Sequence, residues 1–145
     1  MIKRATQKDA PILAKLAIQM WKDNTLSGLE SEFSDIISSE NAACFIKYVE
    51  DEPVGFAQCQ LRHDYVEGTE TSPVGYLEGI FIQEKFRHMG FAKELLQKCE
   101  KWASGKNCSE FASDCELNNI DSLKFHLAMG FDEVNRIICF KKNLE

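Results

Sequence analysis

The chain contains the run Tyr76-Leu77-Glu78-Gly79-Ile80-Phe81-Ile82, closely followed by Lys85-Phe86-Arg87-His88-Met89-Gly90-Phe91-Ala92. The first run is apolar except for one acid and one glycine, which is typical of a buried strand. The second run contains charged residues and a glycine, and it precedes an amphipathic stretch from Lys93 to Ser104 that predicts a helix. The two runs therefore predict a strand, a short loop and a helix in succession.

A strand, a loop and a helix in this order predict a site for a phosphate group. The first N–H groups of a helix have no partner within the helix and lie at the positive end of its dipole. Gly90 lacks the side chain that would hold a diphosphate away from this backbone, Ala92 keeps the first turn narrow, and Arg87 adds a permanent positive charge. The spacing Arg-x-x-Gly-x-Ala alone would recur by chance, so the inference depends on its position between a strand and a helix.

Composition limits the class of protein. A length of 145 residues with 44% apolar and 28% charged residues indicates one ordinary soluble domain spanning residues 1–145. A net charge of −6 argues against a nucleic-acid partner, whose phosphates attract a basic face, and it would suit a polycationic substrate. No apolar run approaches the roughly 18 residues that a membrane-spanning helix needs, so we expect no membrane partner.

The cysteine pattern predicts reduced thiols. No two of the six cysteines have the Cys-x-x-Cys spacing, and the start Met1-Ile2-Lys3-Arg4 has no features of a signal peptide. We therefore expect a cytoplasmic protein with mostly buried thiols, no metal site and no nucleophilic cysteine. The cysteines are Cys44, Cys59, Cys99, Cys108, Cys115 and Cys139.

The remaining pattern predicts helices scattered among hairpin strands, which favours an α/β fold with a mixed sheet. Thr6-Gln7-Lys8-Asp9 resembles a capping box, and Glu50-Asp51-Glu52-Pro53 predicts the turn of a hairpin. The predicted strands are Ile2–Ala5, Ala43–Glu50, Val54–Arg62, Tyr76–Ile82, Glu110–Asp114 and Phe131–Lys141. The predicted helices run from Thr6 through Trp21, from Leu29 to Ser38, from Lys93 to Ser104 and from Asn119 to Met129.

Two acids are candidates for handling an amine. Glu78 lies within an apolar strand, where a carboxylate is costly without a partner, and Asp114 ends a neighbouring strand. Glu78 could instead form an ion pair within the sheet, and Asp114 could cap the next helix or turn. Gly79 predicts a β-bulge, which could be purely structural or could turn a backbone N–H, such as that of Ile80, toward a ligand.

The motifs together resemble a known family. Arg87-x-x-Gly90-x-Ala92 after a strand, followed by Asn119, Ser122, His126 and Met129-Gly130-Phe131, resembles the GCN5-related N-acetyltransferases (GNAT). Five further segments, found in order, resemble the aminoglycoside 6'-N-acetyltransferase branch, whereas the first third of the chain shows scattered similarity, chiefly at Trp21. These segments are Arg62-His63-Asp64-Tyr65-Val66-x-Gly68, Ser72-Pro73-Val74, Leu77-Glu78-Gly79-Ile80-Phe81, Ala112-Ser113-Asp114 and His126-x-Ala128-x-Gly130-Phe131.

The resemblance implies a GNAT fold, with a central twisted mixed sheet and helices on both faces. It also implies direct transfer of acetyl from acetyl-CoA to a primary amine, foremost the 6'-amine of an aminoglycoside, without a metal. This reaction needs a neutral amine, a stabilised carbonyl oxygen and a proton for the departing thiolate. The resemblance implies that Glu78 and Asp114 hold the reacting amine. It also implies that His126, at the position where many relatives carry a tyrosine, supplies the proton for the thiolate.

The resemblance also implies which residues contact the two substrates. Trp21 and Tyr65 would form an aromatic wall for a sugar or a cation, unless they pack in the core. Asn119 would bond the pantetheine or cap its helix, and His88 points to solvent more readily than it acts chemically. The implied cofactor contacts are Ile80, Phe81, Ile82, Arg87, His88, Met89, Gly90, Phe91, Ala92 and Asn119. The implied substrate contacts are Trp21, Tyr65, Glu78, Asp114 and Asn135.

Two departures bear on the acceptor. Relatives usually have an acid before Arg136, where this chain has Asn135, and a proline after Trp21, where it has Lys22-Asp23. A polyamine, a small metabolite or a protein amine is therefore an alternative acceptor, and a non-catalytic acyl-CoA-binding module is an alternative role. Because family members often dimerise through their C-terminal strands, we also expect a homodimer.

Overall fold

The computed structural model describes residues 1–145. Its five strands form one sheet in which their order follows the order along the chain. The strands are β1 (Ile2–Arg4), β2 (Ala42–Val49), β3 (Glu52–Arg62), β4 (Val74–Ile82) and β5 (Phe111–Ala112). The helices are α1 (Ala10–Ala17), α2 (Leu26–Ser38), α3 (Phe91–Gly105) and α4 (Ile120–Ala128), with short 3₁₀ turns at Gln7–Asp9 and Glu84–Phe86.

The sheet is mixed, as the sequence predicts. Strands β1 to β4 are antiparallel neighbours, whereas β5 runs parallel to β4. The β3–β4 pairing extends along almost the whole of both strands, but β5 pairs with β4 only at Gly75 and Tyr76. Strand β4 continues to Ile82, so from Leu77 onward one of its edges has no strand beside it.

Helices cover both faces of the sheet, which confirms the expected layer arrangement. On one face α1 and α2 bury Leu13, Leu29 and Phe33, and the Phe33 ring meets Phe56 of β3 edge-on with 5.7 Å between ring centres. On the other face α3 buries an apolar stripe with helical spacing, represented by Leu95 against the sheet. The stripe consists of Leu95, Leu96, Cys99 and Ala103.

The predicted bulge is present in β4. Gln58 of β3 is opposite Gly79 and Cys59 is opposite Leu77, so Glu78 is the extra residue between them. Gly79 also allows a close approach, because a Cβ atom there would lie 2.9 Å from ring atoms of Trp21. The glycine therefore lets an indole rest directly on the bulged strand.

The N-terminal elements differ in length from the prediction. Helix α1 ends at Ala17 and continues only as turns to Trp21, whereas α2 begins at Leu26, three residues before the predicted start. The earlier start has a local cause, because the Thr25 hydroxyl accepts a hydrogen bond from the Gly28 N–H at 3.0 Å. The capping box is confirmed, since the Asp9 carboxylate accepts a 2.8 Å bond from the Thr6 N–H.

The predicted strand Phe131–Lys141 is wrong. Residues 132–145 lie in no helix or strand and are exposed, because no strand of the sheet pairs with them. The segment is attached at Val134, which packs over Gly68, and at Asn135, whose side chain donates to Glu67 at 3.0 Å. Its exposed apolar side chains are Val134, Ile137, Ile138, Phe140 and Leu144.

The six thiols differ in burial, and Cys108 is half-buried. Cys44, Cys59 and Cys99 are buried in the sheet and α3, as predicted, whereas Cys115 and Cys139 are exposed because they lie outside the regular elements. Burial raises the pKa of Cys44 to about 12, and a hydrogen bond with Cys59 is the main cause that raises the pKa of Cys99. The thiols of Cys44 and Cys99 are therefore protonated and unreactive near neutral pH.

No helix of the structure has both the length and the apolar character needed to cross a membrane.

Candidate active site

Glu78 lies at the bulge of β4 and is paired with an arginine. One nitrogen of the Arg62 guanidinium donates to both oxygens of the Glu78 carboxylate, at 2.6 and 3.0 Å. The Glu78 side chain is only 15% exposed, so this ion pair offsets the cost of burying its charge. The ion pair allowed by the sequence is thus present.

Asp114 follows β5 and accepts a hydrogen bond from a phenol. The Tyr76 hydroxyl donates to one Asp114 oxygen at 2.5 Å, and the Arg62 guanidinium stacks 3.4 Å from the centre of the Tyr76 ring. Burial, followed by the bond to Asp114, raises the pKa of Tyr76, so the phenol remains a donor. Glu78, Arg62, Tyr76 and Asp114 therefore form one continuous network that joins the two acids.

A pocket of about 420 Å³ opens beside Glu78. Trp21 lines it and also packs against Phe56, with 6.1 Å between ring centres, so this indole has both roles considered for it. Tyr65 does not line this pocket and is 76% exposed, which makes its core-packing alternative wrong. The full lining is Trp21, Asn24, Leu29, Glu32, Phe33, Ile36, Gln58 and Glu78.

The turn before α3 has the geometry that suits a diphosphate. Gly90 adopts φ +82°, a left-handed conformation that favours glycine, and α3 begins directly after it at Phe91. A Cβ atom on Gly90 would meet no protein atom within 4 Å, so the space in front of the helix is open to a ligand. The Arg87 Nε donates to the Ile82 carbonyl at 2.8 Å, which anchors the guanidinium beside the end of β4. His88 and Met89 are exposed in the same turn.

His126 lies on α4 with both ring nitrogens engaged. Its Nδ1 is 2.7 Å from the Ser122 carbonyl and its Nε2 is 2.7 Å from the Ser113 hydroxyl. A carbonyl oxygen can only accept, so Nδ1 carries a proton. Asn119 caps α4, since its side-chain oxygen accepts from the Ser122 N–H at 3.1 Å; the capping alternative for this residue is therefore the one present.

The structure brings together only part of the set proposed from sequence. Glu78 and Asp114 are linked by their shared network, whereas Asn135 lies in the C-terminal segment and bonds Glu67. Sequence reasoning missed Arg62, Tyr76 and Ser113 as members of the site. Arg62 and Ser113 each occur within one of the motif segments. Because a buried carboxylate needs a positively charged partner, Glu78 could have indicated Arg62.

Residues 11–131 match the family model described as the acetyltransferase (GNAT) family. The chain belongs to the GNAT acetyltransferases. This acetyltransferase is 37% identical over 144 residues to the aminoglycoside N(6')-acetyltransferase type 1 of Stenotrophomonas maltophilia, an overlap of 99% of the chain and 94% of the relative. It is 38% identical over 124 residues to the protein of the same name from Salmonella typhimurium, which covers 86% of each. The family expected from the motifs is confirmed.

Solved structures agree on the fold. AAC(6')-Iy in complex with the bisubstrate analog CoA-S-monomethyl-acetylneamine superposes with a TM-score of 0.95 at 34% identity, over 99% of this acetyltransferase and 98% of that chain. AAC(6')-IG from Acinetobacter haemolyticus gives a TM-score of 0.94 at 31% identity, over 100% and 99% of the two chains. The α/β GNAT fold predicted from the sequence is therefore confirmed.

Replacing Gly90 tests the diphosphate turn. We expect Gly90→Val to remove measurable CoA binding in calorimetry, because a branched side chain disfavours positive φ and fills the space in front of the helix. The matched control is Gly105→Val at the other end of α3, where a Cβ atom would also meet open space. It should leave CoA affinity unchanged. Unchanged affinity in Gly90→Val would disprove the assignment.

Proposed function

We propose that this acetyltransferase transfers the acetyl group of acetyl-CoA to the 6'-amine of an aminoglycoside by direct attack in a ternary complex. The observation that carries the proposal is the network that joins Glu78 to Asp114 where β4 and β5 separate, with an aromatic pocket beside it. The names of the relatives and the bisubstrate complex of AAC(6')-Iy support this acceptor.

The two acids have different electrostatic settings, which suggests different roles. Glu78 already has the Arg62 guanidinium as its counter-ion, whereas the carboxylate of Asp114 has only a neutral phenol as partner. An incoming ammonium group must compete with the Arg62 guanidinium for the Glu78 carboxylate. At Asp114 it meets a carboxylate that has no positively charged partner. We therefore assign to Asp114 the binding of the reacting ammonium group and, through water, removal of its proton. Glu78 orients the substrate.

A polycationic sugar suits the pocket. Its wall contains two carboxylates, those of Glu32 and Glu78, together with the indole of Trp21. Carboxylates hold ammonium groups, and the indole face packs against a sugar ring or a cation. Tyr65 and Asn135 lie on exposed segments outside this lining, and we propose that they contact the outer rings of the acceptor.

Acetyl-CoA supplies an activated acyl group, and the chain supplies the elements that bind and orient it. The open turn at Gly90 and the Arg87 guanidinium would hold the diphosphate, and the free edge of β4 from Ile80 to Ile82 would face the pantetheine arm. Backbone N–H groups there, such as that of Ile80, would stabilise the carbonyl oxygen, and His126 would supply the proton for the thiolate. The other proposed contacts in this region are Phe81, His88, Met89, Phe91, Ala92 and Asn119.

Direct transfer is preferred to a covalent acetyl-enzyme for a structural reason. Their raised pKa values keep the thiols of Cys44 and Cys99 protonated, Cys59 is buried, and His126 is bonded to two serines and not to a thiol. We further propose that residues 1–145 form one catalytic domain and that the enzyme works in the cytoplasm. A reducing compartment that supplies acetyl-CoA suits six unpaired cysteines.

We also propose a homodimer. Residues 132–145 form no secondary structure and expose Ile138 and Phe140 to 81% and 91%, and α4 has no buried residue although it carries several apolar ones. Exposed apolar patches of this kind mark interfaces, and the short β5 leaves a sheet edge to which a strand from a second copy could add. The extended C-terminal segment of one chain would pair with the sheet of its partner.

The acceptor is tested with a matched pair of antibiotics. Neomycin and paromomycin differ in having an amine or a hydroxyl at the 6' position. We expect CoA release with neomycin and none with paromomycin, because only the former presents the attacking nitrogen. Equal release with both would exclude the 6' position. Release with spermidine or a lysine peptide, but with no aminoglycoside, would exclude this class of acceptor.

The roles of the acids are tested by isosteric replacement. We expect Asp114→Asn to lower kcat by about 100-fold or more, because the amide cannot take a proton, while the affinity for CoA stays the same. Glu78→Gln should also lower kcat, but it should raise KM for the acceptor more than Asp114→Asn does. Glu100→Gln, an exposed acid on α3, serves as the control. Losses of CoA affinity that match the losses of kcat would contradict these roles.

The homodimer is tested by light scattering after gel filtration. We expect the wild type to elute as a dimer and Phe140→Asp to elute as a monomer, because a charge would replace an apolar contact. Lys142→Asp, two residues further along the same exposed segment, should remain dimeric. A monomeric wild type would refute the proposal.

A further inference from the structure

Ser113 stands at the point where the two parallel strands separate. It directly follows β5, and Ala112 is the last residue of β5 that pairs with β4. The Ser113 hydroxyl is half-buried and lies 3.5 Å from the carbonyl of Leu77, the first residue of β4 without a partner on this edge. Ser113 also immediately precedes Asp114, which bonds Tyr76. Its hydroxyl therefore lies at the base of the cleft between the strands.

His126 has no free ring nitrogen for a substrate. Nδ1 must donate to the Ser122 carbonyl, because that carbonyl can only accept, and Nε2 is occupied by the Ser113 hydroxyl. The rings of Phe125 and Phe131 flank the imidazole, with ring centres 5.7 and 5.1 Å away. The Ser113 hydroxyl is thus the hydrogen-bond partner of Nε2 on the side of the cleft.

We propose that Ser113 is the residue that protonates the departing thiolate, with His126 acting through it; this step rests on the proposed acetyl transfer. In the neutral imidazole the Ser113 hydroxyl donates to Nε2. In the imidazolium form Nε2 donates to the Ser113 oxygen, and the hydroxyl proton is free to turn toward the cleft. Apart from Nε2, the acceptor near the Ser113 hydroxyl is the Leu77 carbonyl, at the long distance of 3.5 Å.

The proton transfer balances without any further reactant. When the bond between the acetyl carbon and sulfur breaks, sulfur leaves with the electron pair and takes the proton of the Ser113 hydroxyl. The serine oxygen takes the proton from Nε2, and the imidazolium becomes the neutral form that keeps its proton on Nδ1. Water returns a proton to His126 between turnovers. Ser113 ends the cycle unchanged, and no acetyl-serine is formed.

The Ser122 hydroxyl provides a matched control. It lies 3.3 Å from the Nδ1 side of the same ring, but the stronger contact on that side is the Ser122 backbone carbonyl, which a substitution retains. Ser122→Ala therefore removes a hydroxyl from the same imidazole without interrupting the route through Nε2. Ser113→Thr keeps a hydroxyl on the proposed route.

The experiment compares these variants with neomycin as acceptor and with acetyl-CoA or its selenoester analogue as donor. We expect Ser113→Ala to lower kcat with acetyl-CoA by about 100-fold without raising KM for acetyl-CoA. Ser113→Thr should recover most of the rate, and Ser122→Ala should lower it far less than Ser113→Ala does. The selenoester should restore the rate of Ser113→Ala, because a selenol is a stronger acid than a thiol and its anion leaves without a proton.

A second measurement needs no turnover. Nitrogen NMR of His126 in the free protein should show a proton on Nδ1 in the wild type, and a shift at Nε2 in Ser113→Ala but not in Ser122→Ala. If Ser113→Ala does not fold, His126→Gln should show the same dependence on the leaving group.

Several outcomes would overturn the proposal. They are a Ser113→Ala rate equal to that of the wild type, an equal defect with both donors, and an acetyl adduct on Ser113 in the mass spectrum of quenched enzyme. Absence of acetyl transfer by the wild type would overturn the proposed function and this step with it. An active wild type with an unaffected Ser113→Ala would overturn this step alone.

Discussion

The separation of β4 from β5 after Tyr76 is the constraint on which the candidate active site depends. Strand β4 is held along its length by β3, but β5 accompanies it for only two residues. The bulge at Glu78 lies just beyond the last paired position, and bulges bend the strand that carries them. The divergence leaves backbone groups of β4 free and places Ser113 and Asp114 at the base of the resulting cleft.

The two acids of this cleft differ in whether a counter-ion balances their charge. Glu78 is largely buried and needs a counter-ion, which Arg62 provides, and Tyr76 holds the guanidinium from below by stacking. The same tyrosine bonds Asp114 with its hydroxyl, so one side chain organises both acids. Under the proposed function, a cationic substrate would exchange with the Arg62 guanidinium at Glu78 and would add to the carboxylate of Asp114.

Much of the fold followed from periodicity and turn chemistry. The β2–β3 hairpin, the bulge at Gly79 and the glycine turn before α3 were all predictable, because each depends on residues close together in the sequence. The strand expected at Phe131–Lys141 was not formed, since a strand requires a neighbour and the alternation of residues does not reveal whether one exists. Apolar alternation there is compatible with a partner supplied by another chain.

The candidate site was predictable only in part, for a similar reason. Glu78 and Asp114 stood out because a charge in an apolar strand is costly, but their partners Arg62 and Tyr76 lie on β3 and β4 and meet them only through the sheet register. The pairing of Ser113 with His126 joins residues 13 positions apart across a loop. Nothing in the spacing of two such polar residues distinguishes a contact from two exposed side chains.

The contact between Trp21 and Gly79 has an optical consequence. The chain has two tryptophans, and Trp102 lies on α3, which covers the opposite face of the sheet. Only the indole of Trp21 borders the pocket beside Glu78. A ligand that enters this pocket changes the polarity around one fluorophore and leaves the other as an internal reference. The tryptophan emission spectrum of the unlabelled protein therefore reports whether a ligand occupies the pocket beside Glu78.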